Sequence, residues 1–509
     1  MNKDIIKSSV IVSFLTGLST IVGFLSQIVI TYLFGTSMEM DAYFVATASP
    51  FTVIGMLTPA FSFVLVPMLA QYKNSGDKLW RLINRLFTTI ILVAIFVFLF
   101  GEICGRLIVK ITAPHLSLEK LKLAANLTPI IWITVSFNLI SSFIVGLHHF
   151  YKRFITPAVS LLLPPLCMII GGLLFASLAG IKSIVVGSAI GSALQFFMLF
   201  QMMVFNDKFE FSLSITSPEI KKIFFPIIPV SISLLPFTIL PLIDVFWASR
   251  LPDGCISYLG YATKIIIAIT GIIIQGVATV LLPIFSEDAA NRAFTVLKDK
   301  ILKTIRITAL LTVPIAAMCI VLRTPLLEIL FERGNFTESS TARVGTVLPF
   351  YLVAMIGIVP MNILNRGFYS LRAFGTSAKI GLVLIMFYVL MCGLLIPHFS
   401  YLGIGITYAI YWIFAFVFYG FVLGRRIGDR KFWKTSDVVF GLKVAIVAIV
   451  TGFVINHLWK WLNMVLGSLL GMAVSAGVGF CIVTFFYLFV FKFNEIALLK
   501  KALTKETEA

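Results

Sequence analysis

The chain has 509 residues, of which 59% are hydrophobic and 12% charged. Soluble domains carry roughly 25% charged residues, and no soluble core could hide this much apolar surface, so the solvent of this chain is lipid. Its net charge of +18 would suggest a nucleic-acid partner in a soluble protein; here it reads as short basic loops on one side of a membrane, with no nucleic acid involved.

The N-terminal MNKDIIKSS leads into an uncharged run that is too long for a signal-peptide core and has no cleavage site, so it is read as the first span. A crossing needs about 20 apolar residues, and splitting the apolar runs at Gly, Pro and charge clusters predicts about fourteen of them. They fall at 8–34, 42–70, 84–101, 124–147, 156–179, 183–204, 220–248, 257–285, 304–322, 344–365, 377–396, 402–423, 437–458 and 465–491. The uncharged run from Ile380 to Gly424 is too long for one crossing, and Pro397-His398-Phe399-Ser400 supplies the turn that divides it. Between spans eight and nine, Asp288–Lys303 alternates Ala293, Val296, Leu297, Ile301 and Leu302 with cations, which predicts an interfacial helix.

An even number of spans places both termini on one side. Lys78, Arg81, Lys152, Arg153, Lys222, Lys300, Arg366, Arg372, Arg425 and Lys434 fall in or beside the loops of that side, with Lys73, Lys208, Lys221 and Arg430, and mark it as cytoplasmic. The opposite side has shorter segments poorer in cations, at Gly35–Asp41, Arg106–Lys122, Arg250–Asp253, Arg323–Arg343 and His457–Lys460. None is long enough for an extramembrane catalytic domain. No phosphate-binding loop, zinc spacing or nucleophile elbow occurs, and the six cysteines are scattered as small hydrophobes, so the chain reads as a transporter rather than an enzyme.

Charges within spans are costly and point to function. Lys264 lies about two turns inside span eight, roughly 10 Å deep, where it either meets an anionic substrate group, snorkels outward, or pairs with Asp244 at similar depth in span seven. Lys443 in span thirteen is close enough to the end to snorkel. Gln27, Asn138, Gln195, Gln275 and Asn362 read first as interhelical hydrogen-bonding groups. His148, His149, Lys152 and Arg153 form a basic cluster that either anchors the loop or receives an anionic headgroup.

A shift of 216 residues aligns span two with span eight: Ala46-Thr47 on Ala262-Thr263, Gly55 on Gly271, and Val-Leu-Val-Pro at 64–67 on Val-Leu-Leu-Pro at 280–283. The predicted architecture is therefore an all-α polytopic membrane protein. Two pseudo-symmetric six-helix halves, 1–206 and 207–427, face a central cleft, and 428–509 adds helices thirteen and fourteen and a cytoplasmic tail.

IVGFLSQIVITYLFG, MDAYFVATASP and AFSFVLVPMLAQYK in the first two spans closely resemble the MurJ/MviN lipid II flippases of the multidrug/oligosaccharidyl-lipid/polysaccharide exporter superfamily. The likeness continues through GLHHFYKRFITPA, GVATVLLPIFSEDAA, LFERGNFTESST and NRGFYSLRAFGTSAKI. The resemblance implies a bacterial inner-membrane flippase that moves an undecaprenyl-pyrophosphate-linked saccharide by alternating access, its tail remaining in the bilayer along a groove of spans thirteen and fourteen.

It also implies which residues meet the substrate. Lys264 stands where the family tends to have arginine, and Asp41 matches its acidic residue opening span two. Thr20 and Ser26 occupy positions where the family usually has arginine, with Gln27 beside them, and the arginine pair expected near Val53–Gly55 is absent. Lys152 and Arg153 complete the expected contact set. An acid in span seven binds sodium in some members, which assigns Asp244 to Na⁺ or H⁺ coupling or to an ion pair, although span eleven offers no Asn or Asp.

The thinner cation set keeps an exopolysaccharide or other envelope-glycan precursor as the alternative substrate. Multidrug/cation antiport, as in the wider superfamily, and a non-transporting scaffold stand behind it. Expected partners are the lipid-linked glycan, the bilayer and envelope-synthesis enzymes, with the protein itself a monomer.

Overall fold

A computed structural model describes residues 3–72, 75–204, 209–212, 218–429, 431–491, 493 and 495. The C-terminal tail past 495, Lys73, Lys208 and Arg430 lie outside them, as do the side chains of Lys221, Gln275, Val66, Pro67, Val280, Leu282 and Pro283.

The described elements are helices: α1 (Lys3–Phe34), α2 (Met38–Ala70), α3 (Asp77–Thr112), α4 (Leu118–Phe150), α5 (Ile155–Ser160), α6 (Leu163–Ala179), α7 (Lys182–Val204), α8 (Pro218–Thr238), α9 (Leu240–Ala248), α10 (Cys255–Ala290), α11 (Phe294–Val321), α12 (Arg323–Leu330), α13 (Glu338–Ser370), α14 (Phe374–Phe399), α15 (Tyr401–Arg426) and α16 (Thr435–Phe485). Twelve of these stretches are long and apolar enough to cross a membrane, and α8 with α9, bent by 44° at their junction, makes a thirteenth.

The fourteenth is hidden in α16. Gly467 takes φ +76°, ψ 175°, outside helical geometry. A Cβ on Gly471 would lie 3.2 Å from the backbone nitrogen of Asn463, and one on Gly479 would lie 2.3 Å from Ile455 Cδ1. Residues on the two sides of Gly467 thus pack back against each other, as in an antiparallel hairpin and not as one helix of 51 residues. Glycine is needed at the break because an L side chain is strained at that φ.

The bend between α8 and α9 comes from proline. Pro241 has no N–H, and Leu242 N bonds to Ile239 O, so the Thr238 carbonyl has no helical donor. Thr52 Oγ1 of α2 donates to it at 3.0 Å. Gly55, one turn along, lets α2 approach, since a Cβ there would sit 2.7 Å from Thr238 Cγ2. At the other divided run, Ser400 adopts φ +54° between α14 and α15, at the turn expected from the sequence.

One expectation is corrected. Asp288–Lys303 is not a separate interfacial helix: α10 runs to Ala290, a turn through Arg292 at φ +54° follows, and Phe294–Lys303 is the start of α11. Leu297 and Ile301 are fully buried, so the apolar stripe packs on protein rather than on lipid headgroups. Within the segment Arg323–Arg343, the first part is α12 and the last residues open α13.

The chain forms two compact units, Met1–Gly260 with Arg333–Thr337, and Tyr261–Glu332 with Glu338–Ala509. Compactness and duplication are different properties, and these limits do not coincide with those of the repeat. In the first unit α2 packs on α4 and α8, α4 on α3 and α7, and α6 on α1 and α7. In the second, α13 packs on α15 and α11, α11 on α16, and α14 on α15.

Candidate functional site

The most connected buried charge of the first unit is Asp41. Ser37 caps α2 by accepting from Met40 N, and this starts the helix so that Asp41 falls in its first turn, 1% exposed. Its Oδ2 accepts from Lys120 Nζ at 2.6 Å and from Gly254 N at 2.8 Å. Its Oδ1 accepts from Ser257 N at 2.9 Å and Ser257 Oγ at 2.6 Å. The carboxylate therefore caps the N-terminus of α10 from another helix, where the free N–H groups and the helix dipole favour an anion.

Lys120, from the first turn of α4, is 2% exposed and also donates to Asp253 Oδ1 at 2.7 Å. Neither Lys120 nor Asp253 stands out in the sequence. Each looks like an ordinary charge in a short loop, and only the fold brings them to Asp41. Asp41 is thus a fully engaged anchor, and the helix it anchors carries Lys264 about 10 Å beyond Ser257.

Lys264 is half-buried on α10. Asp244 is buried on α9, three residues after Pro241, and belongs to the first unit while Lys264 belongs to the second. On α1, Thr20 Oγ1 donates to Thr16 O at 3.0 Å and Ser26 Oγ to Gly23 O at 2.7 Å, so both hydroxyls are turned onto their own helix. Gln27 is different: its Oε1 is buried without a hydrogen-bond partner among the described residues. A buried amide oxygen without a donor is costly, which makes Gln27 the α1 residue most in need of a ligand. Thr20 and Gln27 are seven residues apart and share one helix face.

The basic cluster after α4 divides. His148 turns inward, 2% exposed, with Nδ1 3.0 Å from Ile144 O. His149, Lys152 and Arg153 stay exposed around a turn in which Lys152 has φ +57°. Asn138 donates from Nδ2 to Ser192 Oγ at 3.3 Å between α4 and α7, as expected for interhelical glue.

One cation was misplaced by the loop assignment. Arg366 lies within α13, half-buried, and with Asn362, Thr308 and Ile273, Ile274 and Leu281 of α10 it lines a small cleft of the second unit. The signal was available: Asn362 and Arg366 are four residues apart on the same face of a span with no intervening breaker.

A profile of the family "Lipid II flippase MurJ" matches residues 30–455. The chain belongs to the MurJ lipid II flippase family. A probable lipid II flippase MurJ of Buchnera aphidicola subsp. Schizaphis graminum is 27% identical over 97% of this chain and 98% of its own. The lipid II flippase MurJ of Burkholderia cenocepacia is 25% identical over 79% of this chain and 81% of its own. Among solved structures, a lipid II flippase MurJ in an inward closed conformation superposes with a TM-score of 0.79 at 21% identity, covering 94% of this chain and 98% of that one. An inward-facing multidrug-resistance transporter of the MATE family reaches 0.69 at 13% identity, covering 81% of this chain and 94% of that one, and so has a similar fold.

Proposed function

We infer that the chain flips a lipid II-type precursor, an undecaprenyl-pyrophosphate-linked saccharide, across the bacterial inner membrane. The match of the MurJ profile across residues 30–455 carries this reading. The precursor combines a long apolar tail with an anionic headgroup, and only the headgroup needs a protein path, since the tail is at home in lipid.

Lys264 is the residue we assign to the pyrophosphate, because an anion leaving water needs a fixed cation. Gln27 offers its amide to the sugar hydroxyls, and Thr20 and Ser26 leave α1 slimmer than arginines would. Lys152 and Arg153, exposed on the face we read as cytoplasmic with both termini, meet the headgroup first. Asp41 acts by holding α10. Asp244, buried beside the proline break of α9, is our assignment for ion coupling. The working unit is one chain, served by the enzymes that make and use the precursor, and no bond is made or broken by the protein.

The test is rescue of cells depleted of their own lipid II flippase. The wild-type chain restores growth, Lys264→Arg retains it, and Lys264→Met and Asp244→Asn lose it. Absence of rescue by a well-expressed wild-type chain, with accumulation of another lipid-linked glycan in a deletion strain, would reassign the substrate to an exopolysaccharide precursor.

A further inference from the structure

The second unit holds a cavity of about 470 Å³ between α11, α13, α15 and α16, within the range that holds one small-molecule ligand. Its depth is apolar, formed by Ile305, Ala309, Val313, Ile356, Pro360 and Val444. It opens where Val417 of α15 and Val438 of α16, 48% and 59% exposed, stand apart. In a bilayer such an opening faces hydrocarbon. A void left empty there forfeits the dispersion contacts of its walls, and water gains nothing from apolar lining.

The mouth is polar and charged in a particular way. Arg306 of α11 donates from Nε to Asp437 Oδ1 at 3.1 Å, from Nη2 to the same oxygen at 2.7 Å, from Nη2 to Ser436 Oγ at 3.4 Å and from Nη1 to Glu495 Oε1 at 3.1 Å. A guanidinium has five N–H groups, so one stays available. With Lys434 beside them, the carboxylates of Asp437 and Glu495 are balanced by two cations, so the mouth carries both signs and no net charge. Exposed Lys434 stands three residues before Asp437, whose Oδ2 accepts from Lys434 N at 2.8 Å. Trp433, at the lip, donates from Nε1 to Val417 O at 3.4 Å, an indole placed as at a membrane interface.

We propose that this cavity is a binding site for one phospholipid with an ammonium-bearing, zwitterionic headgroup. An acyl chain fills the apolar depth. The phosphate takes the remaining Arg306 N–H and the Lys434 ammonium, while the lipid ammonium meets the carboxylates of Asp437 and Glu495, so a headgroup without net charge leaves the mouth balanced. A purely anionic headgroup competes with those carboxylates for Arg306 and Lys434 and adds a negative charge to a mouth that is already balanced.

Gly441 provides a clean test. It lines the cavity, is exposed, and a Cβ there meets nothing within 4 Å. Gly441→Leu and Gly441→Phe therefore fill the cavity with no clash at Cβ and with better helix propensity. Purified full-length protein is exchanged into detergent containing equimolar phosphatidylethanolamine and phosphatidylglycerol, and retained lipid is counted by native mass spectrometry alongside thermal unfolding.

The wild type is expected to retain one phosphatidylethanolamine at roughly tenfold higher occupancy than phosphatidylglycerol. Gly441→Leu reduces this adduct and Gly441→Phe abolishes it, both without loss of thermal stability. Glu495→Gln keeps a lipid but loses the headgroup preference. Equal retention of the two lipids by the wild type, preference for phosphatidylglycerol, or an undiminished adduct in Gly441→Phe each overturns the proposal.

Discussion

Replacing Lys120 by methionine isolates the energetics of the Asp41 anchor. The substitution keeps the buried stem and removes the ammonium, leaving a carboxylate that is 1% exposed without its cation. Breaking a buried ion pair from one side costs about 3–5 kcal/mol. Asp41 keeps three donors, from Gly254 N, Ser257 N and Ser257 Oγ, which puts the expected cost at the lower end, about 3 kcal/mol. The Asp253 side chain is 85% exposed, so Asp253→Asn should cost less than about 1 kcal/mol.

Cys255, the first residue of α10, reports on this directly because it is buried at 4% beside the anchor. In a variant retaining Cys255 as its sole cysteine, maleimide labelling proceeds through local opening of the α10 start. A loss of about 3 kcal/mol should accelerate labelling roughly a hundredfold in Lys120→Met, and Asp253→Asn only a few-fold. Adding Asp41→Asn to Lys120→Met should restore most of the protection, since a neutral pair no longer strands a charge. A Lys120→Met labelling rate within twofold of the wild type would refute the reasoning, as would a double variant that labels faster than the single one.

Two further outcomes test other parts of the fold. Cysteines placed at Ile455 and Gly479 should cross-link under mild oxidation, because a Gly479 Cβ lies against Ile455 in the hairpin of α16; in an unbroken helix the two would stand about 36 Å apart and could not. The Lys298 ammonium donates to Asp429 Oδ2 at 2.5 Å and to Lys431 O at 2.9 Å, and this bond, with a second from Lys431 N, holds the Asp429 carboxyl below the usual range. Because the folded value is depressed, the stabilisation is present above the ordinary carboxylate range and disappears as pH falls through the folded value. In the wild type, acid should therefore release the loop after α15, read by proteolysis, whereas Asp429→Asn, with no carboxylate to protonate, should be cleaved faster at neutral pH and lack that acid-dependent step; a coincident pH profile would remove Asp429 from the account.

The spans were legible because lipid imposes length and polarity on every one of them. Even the Ser400 turn announced itself by residue type. What stayed hidden depended on distance along the chain. Lys120 reaches Asp41 across 79 residues and Asp253 across 133, and no local pattern records such pairings. Phe294–Lys303 misled because an amphipathic stripe looks the same whether it lies on lipid headgroups or on protein. Arg366 misled because a cation near a span end was taken for a loop, whereas α13 continues to Ser370. In the site, the family resemblance set Thr20, Ser26 and Gln27 together; their hydrogen bonding separates them, leaving Gln27, of the three, with a buried group unanswered among the described residues.

The bond between Asp41 and Ser257 joins two positions 216 residues apart, the same offset that registers span two on span eight. At that aligned position one residue can only accept and the other donates, so the two registered stretches are not interchangeable here. Two aspartates would repel, and two serines would leave Lys120 with only the exposed Asp253 as its counter-charge. However alike the two stretches are elsewhere, the start of α10 depends on their difference at this one position.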